Sequence, residues 1–196
     1  MKKGLALFDF DGTLTTKDTL LEIVKYQKGE LFFYFGFFLL SPVMVLYKLK
    51  LIKNWRAKEI MLGFFFGGDS IDKFQRKCED FVAYKLHAIL RPEAIKKLKE
   101  HLANNDRVVV VTASSYNWVA PWCKAMNVEL IATQLQVKDN HLTGKLETRN
   151  CYGVEKANRI NAFLNLADYS PVYAYGDTRG DKEMLALAEF PFYRKF

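Results

Sequence analysis

The chain has 196 residues, half of them hydrophobic and 26% charged, enough for one core with a modest insertion and free of the bias of a disordered segment. A formal charge of +7 points to anionic partners (phosphate esters, nucleic acid or an acidic membrane surface), beside the plain alternative of a solvated basic face. Cys78, Cys123 and Cys151 are odd in number, far apart and without a CxxC pair, which supports neither a zinc site nor a disulfide framework and fits idle thiols in a reducing cytoplasm. Asp9 and Asp11 interrupt the apolar run after Lys2 and Lys3 too early for an export signal.

Gly4 to Phe10 is a short apolar run ending in acidic residues, the pattern of a buried parallel strand. From about 15 to 87 the sequence reads as helical throughout. Within it, LFFYFGFFLLSPVMVLY (Leu31 to Tyr47) holds seventeen residues without a charge, five of them Phe. Lys48, Lys50, Lys53, Arg56 and Lys58 follow, then a second apolar patch, MLGFFFGG (Met61 to Gly68). Pro92 opens an amphipathic helix that ends near Asn104 and Asn105. RVVVVTAS is a strand leading into Thr112. The helix expected over 115–126 contains Pro121, which predicts a kink or a break. VELIAT is another short strand, and QLQVKDNHLTGKL is a hairpin turning at Lys138, Asp139 and Asn140. Residues 155–166 are helical, PVYAYGD is a strand ending in Asp177, and 181–189 are helical again. Strands separated by helices imply an α/β fold with a parallel sheet and crossovers.

Three features then line up. Asp9 and Asp11 fall just past the first strand, Thr112 ends the second, and Asp177 ends a late strand with Asp181 at the start of the next helix. Ligands of an open α/β sheet bind at the carboxyl ends of its strands, so these residues converge on one site. Packing several carboxylates together is costly unless something compensates them. A divalent cation does so, and oxygen-only ligands favour magnesium. One strand-end aspartate is ordinarily a turn or cap residue; the whole set in one α/β chain is not.

These motifs resemble those of the haloacid dehalogenase superfamily of phosphohydrolases, over nearly the whole chain. DFDGTLT matches the first signature, VTAS the second, Lys156 in YGVEKANRI the third and GDTRGD the fourth. The long helical segment directly after the first signature is similar to the branch that includes phosphoserine phosphatase, whose cap sits at that point. The expected architecture is a Rossmann-like core from residues 1–14 and 88–196, with a helical cap, residues 15–87, inserted between them. The resemblance implies Asp9 as a nucleophile forming an aspartyl-phosphate, and Asp11 as the general acid and then base. It implies magnesium held by Asp9, the backbone carbonyl of Asp11 and Asp177, with Asp181 orienting the metal's water shell. Thr112 and Lys156 would bind phosphoryl oxygens, and backbone N–H groups from Phe10 to Gly12 would complete an anion cradle. Asp18 falls where several relatives carry an acidic residue near the substrate; its ordinary role would be a helix N-cap. Physics supports the assignment, since a carboxylate attacking a phosphate dianion needs a cation and a lysine to screen the repulsion. The dehalogenases lack the second aspartate because they have no leaving alkoxide to protonate. Asp11 therefore favours phosphatase or phosphotransferase chemistry.

About 17 apolar residues is the lower limit for a helix that crosses a bilayer. A single crossing at 31–47 would put Asp9 on one side and Thr112, Lys156 and Asp177 on the other, with no comparable run to bring the chain back. The catalytic reading excludes it. Two readings survive. Gly36 and Pro42 break the run into a hairpin dipping into one leaflet, anchored by the basic residues, or the run is a cap helix buried against its neighbours. Two apolar patches in one small insertion favour membrane contact. This cap pattern is similar to that of the bacterial type C phosphatidylglycerophosphate phosphatases. Three functions are thus weighed: a magnesium-dependent phosphomonoesterase for a lipid phosphate such as phosphatidylglycerophosphate, a soluble phosphatase for a small metabolite such as phosphoserine, and a catalytically idle membrane-binding module. The intact acidic set argues against the last. The expected partners are a phosphate ester and an anionic membrane surface, not nucleic acid. The expected location is the cytoplasm, peripheral at the inner face of the cytoplasmic membrane.

Overall fold

The computed structural model describes residues 2–196. Strand β1 (Lys3–Phe8) runs through a tight turn into five helices, α1 (Thr19–Lys28), α2 (Glu30–Leu39), α3 (Ser41–Lys48), α4 (Asn54–Phe66) and α5 (Ile71–Tyr84). Helix α6 (Pro92–Ala103), β2 (Arg107–Ser115), α7 (Tyr116–Met126) and β3 (Glu129–Thr133) follow. A hairpin of β4 (Leu135–Lys138) and β5 (His141–Leu146) precedes α8 (Val154–Phe163), β6 (Tyr169–Gly176), α9 (Lys182–Leu185) and β7 (Phe190–Tyr193).

Five strands form one parallel sheet in the order β3-β2-β1-β6-β7, the Rossmann-like α/β architecture. Strand β1 is central and buried on both faces, which explains its unbroken apolar sequence. Leu5 and Leu7 pack with Val109, Val111 and Ile160, while Ala6 and Phe8 face the cluster of Val110, Trp118 and Tyr175. Phe8 pairs with Val110 on one side and Tyr175 on the other. That register levels the three strand ends and delivers Asp9, Thr112 and Asp177 to one edge of the sheet.

Three local expectations change. Helix α7 runs through Pro121 without a break. Proline cannot donate to the carbonyl of Asn117, and the Gln75 side chain of α5 donates to that carbonyl instead, at 3.3 Å. The last two helices are shorter than expected, ending at Phe163 and Leu185. Beyond α9 the segment FPFY forms β7, where Pro191 is tolerated because the strand lies at the sheet edge. The hairpin turns on Asp139 and Asn140, both in the left-handed region (φ 49° and 61°). It leaves the main sheet and joins the helical layer, with Gly68 N–H donating to Leu142 O and Leu142 N–H to Asp69 O.

The charge-free run does not break at Gly36. Helix α2 continues through it and meets α3 at Leu40, with a bend of 59° between the two helices. Gly36 is buried where α2 crosses α4, and a Cβ there would lie 2.6 Å from the Phe64 and Phe65 rings. Among the described residues no single helix is long and apolar enough to cross a membrane, although α2 and α3 together pass on length and composition. Nor is the run core. Phe33, Gly36 and Leu40 are buried, but Leu31 is 90% exposed, Phe38 75%, and α3 contributes no buried residue. The second patch behaves oppositely, with Met61, Leu62, Phe65 and Phe66 all buried.

Candidate active site

The chain leaves β1 through a tight π-type turn, Phe10–Leu14, closed by the Thr15 N–H on Phe10 O at 3.0 Å. Asp9 is extended, and Gly12 takes φ 86°. A side chain at Gly12 is excluded twice, by that φ and because a Cβ would lie 2.4 Å from Asp177 Oδ2. Glycine thus lets the carboxylate that follows β6 come against the turn.

Lys156, in the first turn of α8, is buried and reaches across the sheet edge. Its Nζ lies 2.5 Å from Asp9 Oδ1 and 2.6 Å from Asp181 Oδ1. The other Asp181 oxygen accepts from the backbone N–H groups of Asp177 and Thr178 and from the Thr178 hydroxyl. Asp177 is half-buried and accepts from the Thr13 hydroxyl at 3.2 Å. One carboxylate oxygen from each of Asp9, Asp177 and Asp181 lies within 4.8 Å of the others.

Three carboxylates face one ammonium, and their protonation records the imbalance. Burial pushes the Asp9 carboxyl up to about 8 against the pull of Lys156. Burial and the Asp181 charge raise Asp177 as well. Burial works to raise Asp181 too, but Lys156 and its loop donors outweigh it and hold the group below its usual value. Burial alone would lower Lys156, yet the two carboxylates it touches keep it above the ordinary lysine range. An oxygen-only set with excess buried negative charge fits a hard divalent cation. Asp9 and Asp177 are the side chains free to hold it, because both oxygens of Asp181 already accept hydrogen bonds.

Asp11 turns the other way. Its Oδ1 accepts from the Thr19 N–H (2.7 Å) and hydroxyl (2.6 Å), and its Oδ2 from the Ser114 hydroxyl (2.5 Å). Thr19 in turn accepts from Trp118 Nε1 at 3.0 Å. Asp11 is therefore fixed by the first turn of α1 and the end of β2 together. Thr112 is buried, and its hydroxyl accepts from the Ser114 N–H, which leaves its own proton to donate. The Phe10 side chain is buried edge-on against Trp122, so that residue offers the site its backbone only. Gly12 N–H is drawn to the Thr15 hydroxyl at 3.3 Å.

Asp18 caps α1, accepting from Leu20 and Leu21 N–H. Desolvation and the neighbouring Asp11 charge push its carboxyl up to about 6, with Lys58 pulling the other way. Lys58 leaves the basic cluster in which its sequence position puts it. Its ammonium turns inward to Ala113 O at 2.8 Å and Asn150 Oδ1 at 3.3 Å. Sequence reasoning missed Thr19, Ser114 and Lys58. Ser114, two residues past Thr112 at a strand end, carried the best available signal; Thr19 and Lys58 carried none.

The chain matches the haloacid dehalogenase-like hydrolase family over residues 6–186. It belongs to that family. The hydrolase is 32% identical over 194 residues to Protein CicA of Caulobacter vibrioides, which covers 98% of this chain and 86% of the relative. A crystal structure of a protein of unknown function from Bordetella pertussis Tohama I superposes with TM-score 0.83 at 26% identity, covering 96% of this chain and 88% of that one. A phospho-aspartyl intermediate analogue of phosphoserine phosphatase superposes with TM-score 0.63 at 24% identity, over 96% of this chain and 84% of that one, a likeness of fold.

Proposed function

We propose that this hydrolase is a magnesium-dependent phosphomonoesterase that works through an aspartyl-phosphate on Asp9 and acts on a lipid phosphate at an anionic membrane surface. The observation that carries the reading is Asp9 itself, a carboxylate at the end of the central strand, gripped by buried Lys156 and clustered with Asp177. In the first step an Asp9 oxygen bonds to phosphorus and the bond to the leaving oxygen breaks, while Asp11 gives that oxygen its proton. In the second, water attacks phosphorus, Asp11 takes the water's proton, and the acyl-phosphate bond breaks to release inorganic phosphate. Thr112, Lys156 and the N–H groups of Phe10 to Gly12 bind the phosphoryl oxygens. Asp181 holds Lys156 and the Asp177 loop in place. Magnesium, held by Asp9, the Asp11 carbonyl and Asp177, supplies the positive charge that lets a carboxylate approach a phosphate dianion.

In this reading residues 1–14 and 88–196 form the core and 15–87 the cap, with the β4–β5 hairpin added to the cap side. The lipid assignment is supported by the exposed apolar side chains of α2 and α3 and by Lys48, Lys50, Lys53 and Arg56, all exposed. Each such cation contributes about 1 kcal/mol near an anionic surface. Phosphatidylglycerophosphate is the favoured substrate, from the cap's similarity to the type C phosphatases.

The test is hydrolysis with controlled metal and lipid. Excess chelator should abolish phosphate release from an aryl phosphate, magnesium should restore it, and calcium should do so poorly. Release from phosphatidylglycerophosphate in anionic vesicles should exceed release from phosphoserine. Full activity in chelator would sink the metal assignment; preference for phosphoserine and indifference to vesicles would sink the lipid one.

A further inference from the structure

Three polar side chains bond one another inside the core, in the layer shared by α6, β1 and β6. His101, in the last turn of α6, is 3% exposed. Its Nδ1 lies 2.8 Å from Asp106 Oδ2 and its Nε2 2.9 Å from the Tyr175 hydroxyl. We propose that His101 and Asp106 are positioning residues: through Tyr175 they fix β6 against β1, and so set Asp9 and Asp177 at the spacing that holds a metal ion. The proposal rests on the phosphatase reading above, in which the two carboxylates share magnesium, and adds what keeps them in register.

The register of β6 on β1 is not settled where their pairing starts. Lys3 lies opposite Tyr169 but Leu5 lies opposite Val172, so β6 advances three residues while β1 advances two. Such an irregularity uncouples the ladder beyond it from the ladder before it. A slip of one residue would turn every later side chain of β6 to the other face. It would also carry Asp177 out of line with Asp9.

Tyr175 is where the two strands are tied again. It pairs with Phe8, the residue before Asp9, and its carbonyl accepts from the Asp9 N–H at 2.9 Å. Two residues later comes Asp177. The phenol ring is flanked by Phe8 at 4.4 Å and Phe192 at 4.8 Å, nearly parallel to both. Stacked rings slide over one another at little cost, whereas a hydrogen bond is directional. The bond to His101 is thus the contact that fixes the ring along the strand.

His101 is held in turn. Burial keeps the Tyr175 phenol above its usual range, so it retains its proton and donates to Nε2. The proton of the imidazole then sits on Nδ1, donated to Asp106. Asp106 is fixed twice. Its N–H donates to His101 O at 2.9 Å, and its carboxylate lies against Gly4 of β1, where a Cβ would stand 2.1 Å from Oδ1. The chain of bonds therefore begins near the start of β1, passes through α6 and ends on β6 beside Asp9. A shifted β6 would leave a buried phenol and a buried imidazole unpaired, which opposes the shift.

The experiment measures magnesium binding to the full chain by calorimetry, without substrate, beside kcat and KM for an aryl phosphate. Tyr175→Phe removes one oxygen and keeps both stacks. It should weaken magnesium binding about fivefold, less than the roughly 10- to 100-fold lost with a direct partner of a metal ligand. At saturating magnesium kcat should fall about fivefold while KM stays within about twofold. His101→Leu should do at least as much, and His101→Gln, whose amide replaces Nε2, should recover most of both. The double variant His101→Leu, Tyr175→Phe should be no worse than His101→Leu, because the same bond is lost in each. If His101→Leu does not fold, Tyr175→Phe and His101→Gln give the reading. Variants that lose stability in urea melts while magnesium affinity and kcat stay within about twofold of the wild type overturn the proposal, leaving a polar contact of the core and the phosphatase intact. A wild type that binds magnesium but hydrolyses no aryl phosphate overturns the phosphatase reading, and one that binds no magnesium overturns both.

Discussion

Around Asp9 every polar side chain is held by another. Lys156 bonds two carboxylates, Asp181 accepts from its own loop, and Thr19, Ser114 and Trp118 interlock about Asp11. Along α2 and α3 few side chains do, Phe32 stacked on Phe64 and Tyr47 bonded to Asn54 among them. Leu31, Phe35, Phe38 and Leu49 stand in solvent, and within the charge-free run only Phe33, Gly36 and Leu40 are buried. The two regions are incomplete in opposite senses. Buried charge without compensation costs several kcal/mol, so a cluster of three carboxylates on one ammonium fits a cation. Exposed apolar side chains cost little one by one, and it is their contiguity that marks a surface meant to meet something.

Asp9→Asn tests this contrast hardest. Turnover should fall by at least about 10³-fold, with no covalent phosphoenzyme trapped from the variant. The substitution also removes a proton-binding group. With its carboxyl raised from 3.8 to about 8, folded Asp9 holds its proton more tightly than the unfolded chain does. Its contribution to stability is complete below about pH 4 and is lost as pH climbs through about 8. In chelator, urea melts of the wild type should therefore lose stability from pH 5 to 8 relative to Asp9→Asn, and magnesium should flatten that difference. Wild-type turnover in the variant, or parallel pH curves, would separate Asp9 from the buried-charge argument.

Ser114→Ala should be milder. It removes one of three donors on Asp11 without touching Asp9 or Lys156. kcat should fall about 10-fold with KM little changed, and Ser114→Thr should restore most of it. A change in KM alone, or no rescue by threonine, would mean that Ser114 only packs. The result also reports on the seating of α1, because the other two donors to Asp11 come from Thr19 in that helix.

The sheet was legible because a strand buried on both faces writes itself as an apolar run, as Leu5 to Phe8 and Val108 to Val111 do. The acidic residues were legible because strand ends at one edge share a site whatever their separation in sequence. What the chain hid was conditional on neighbours. Pro121 reads as a helix breaker until the Gln75 amide is present to take up the freed carbonyl. Lys58 is one of five cations in a row until the turn of α4 points it inward to Ala113. MLGFFFGG and LFFYFGFFLLSPVMVLY look alike as strings. The first is covered by the hairpin and neighbouring helices, the second has little beyond it, and hydrophobicity alone cannot distinguish the two.

That pair supplies the smallest expected effect on stability. Phe66→Ala, within the buried patch, should cost about 3–5 kcal/mol in urea melts. Leu31→Ser and Phe38→Ser should each stay within about 0.5 kcal/mol of the wild type, since neither side chain packs against the rest of the protein. Binding to anionic vesicles by flotation should reverse the order. The double variant Leu31→Ser, Phe38→Ser should lose it, while the wild type binds and weakens as salt screens Lys48, Lys50, Lys53 and Arg56. A loss of 2 kcal/mol or more in Phe38→Ser would show that the face is covered in solution, by a second copy or by a rearranged cap. Unchanged stability together with unchanged flotation would leave α2 and α3 without a membrane role.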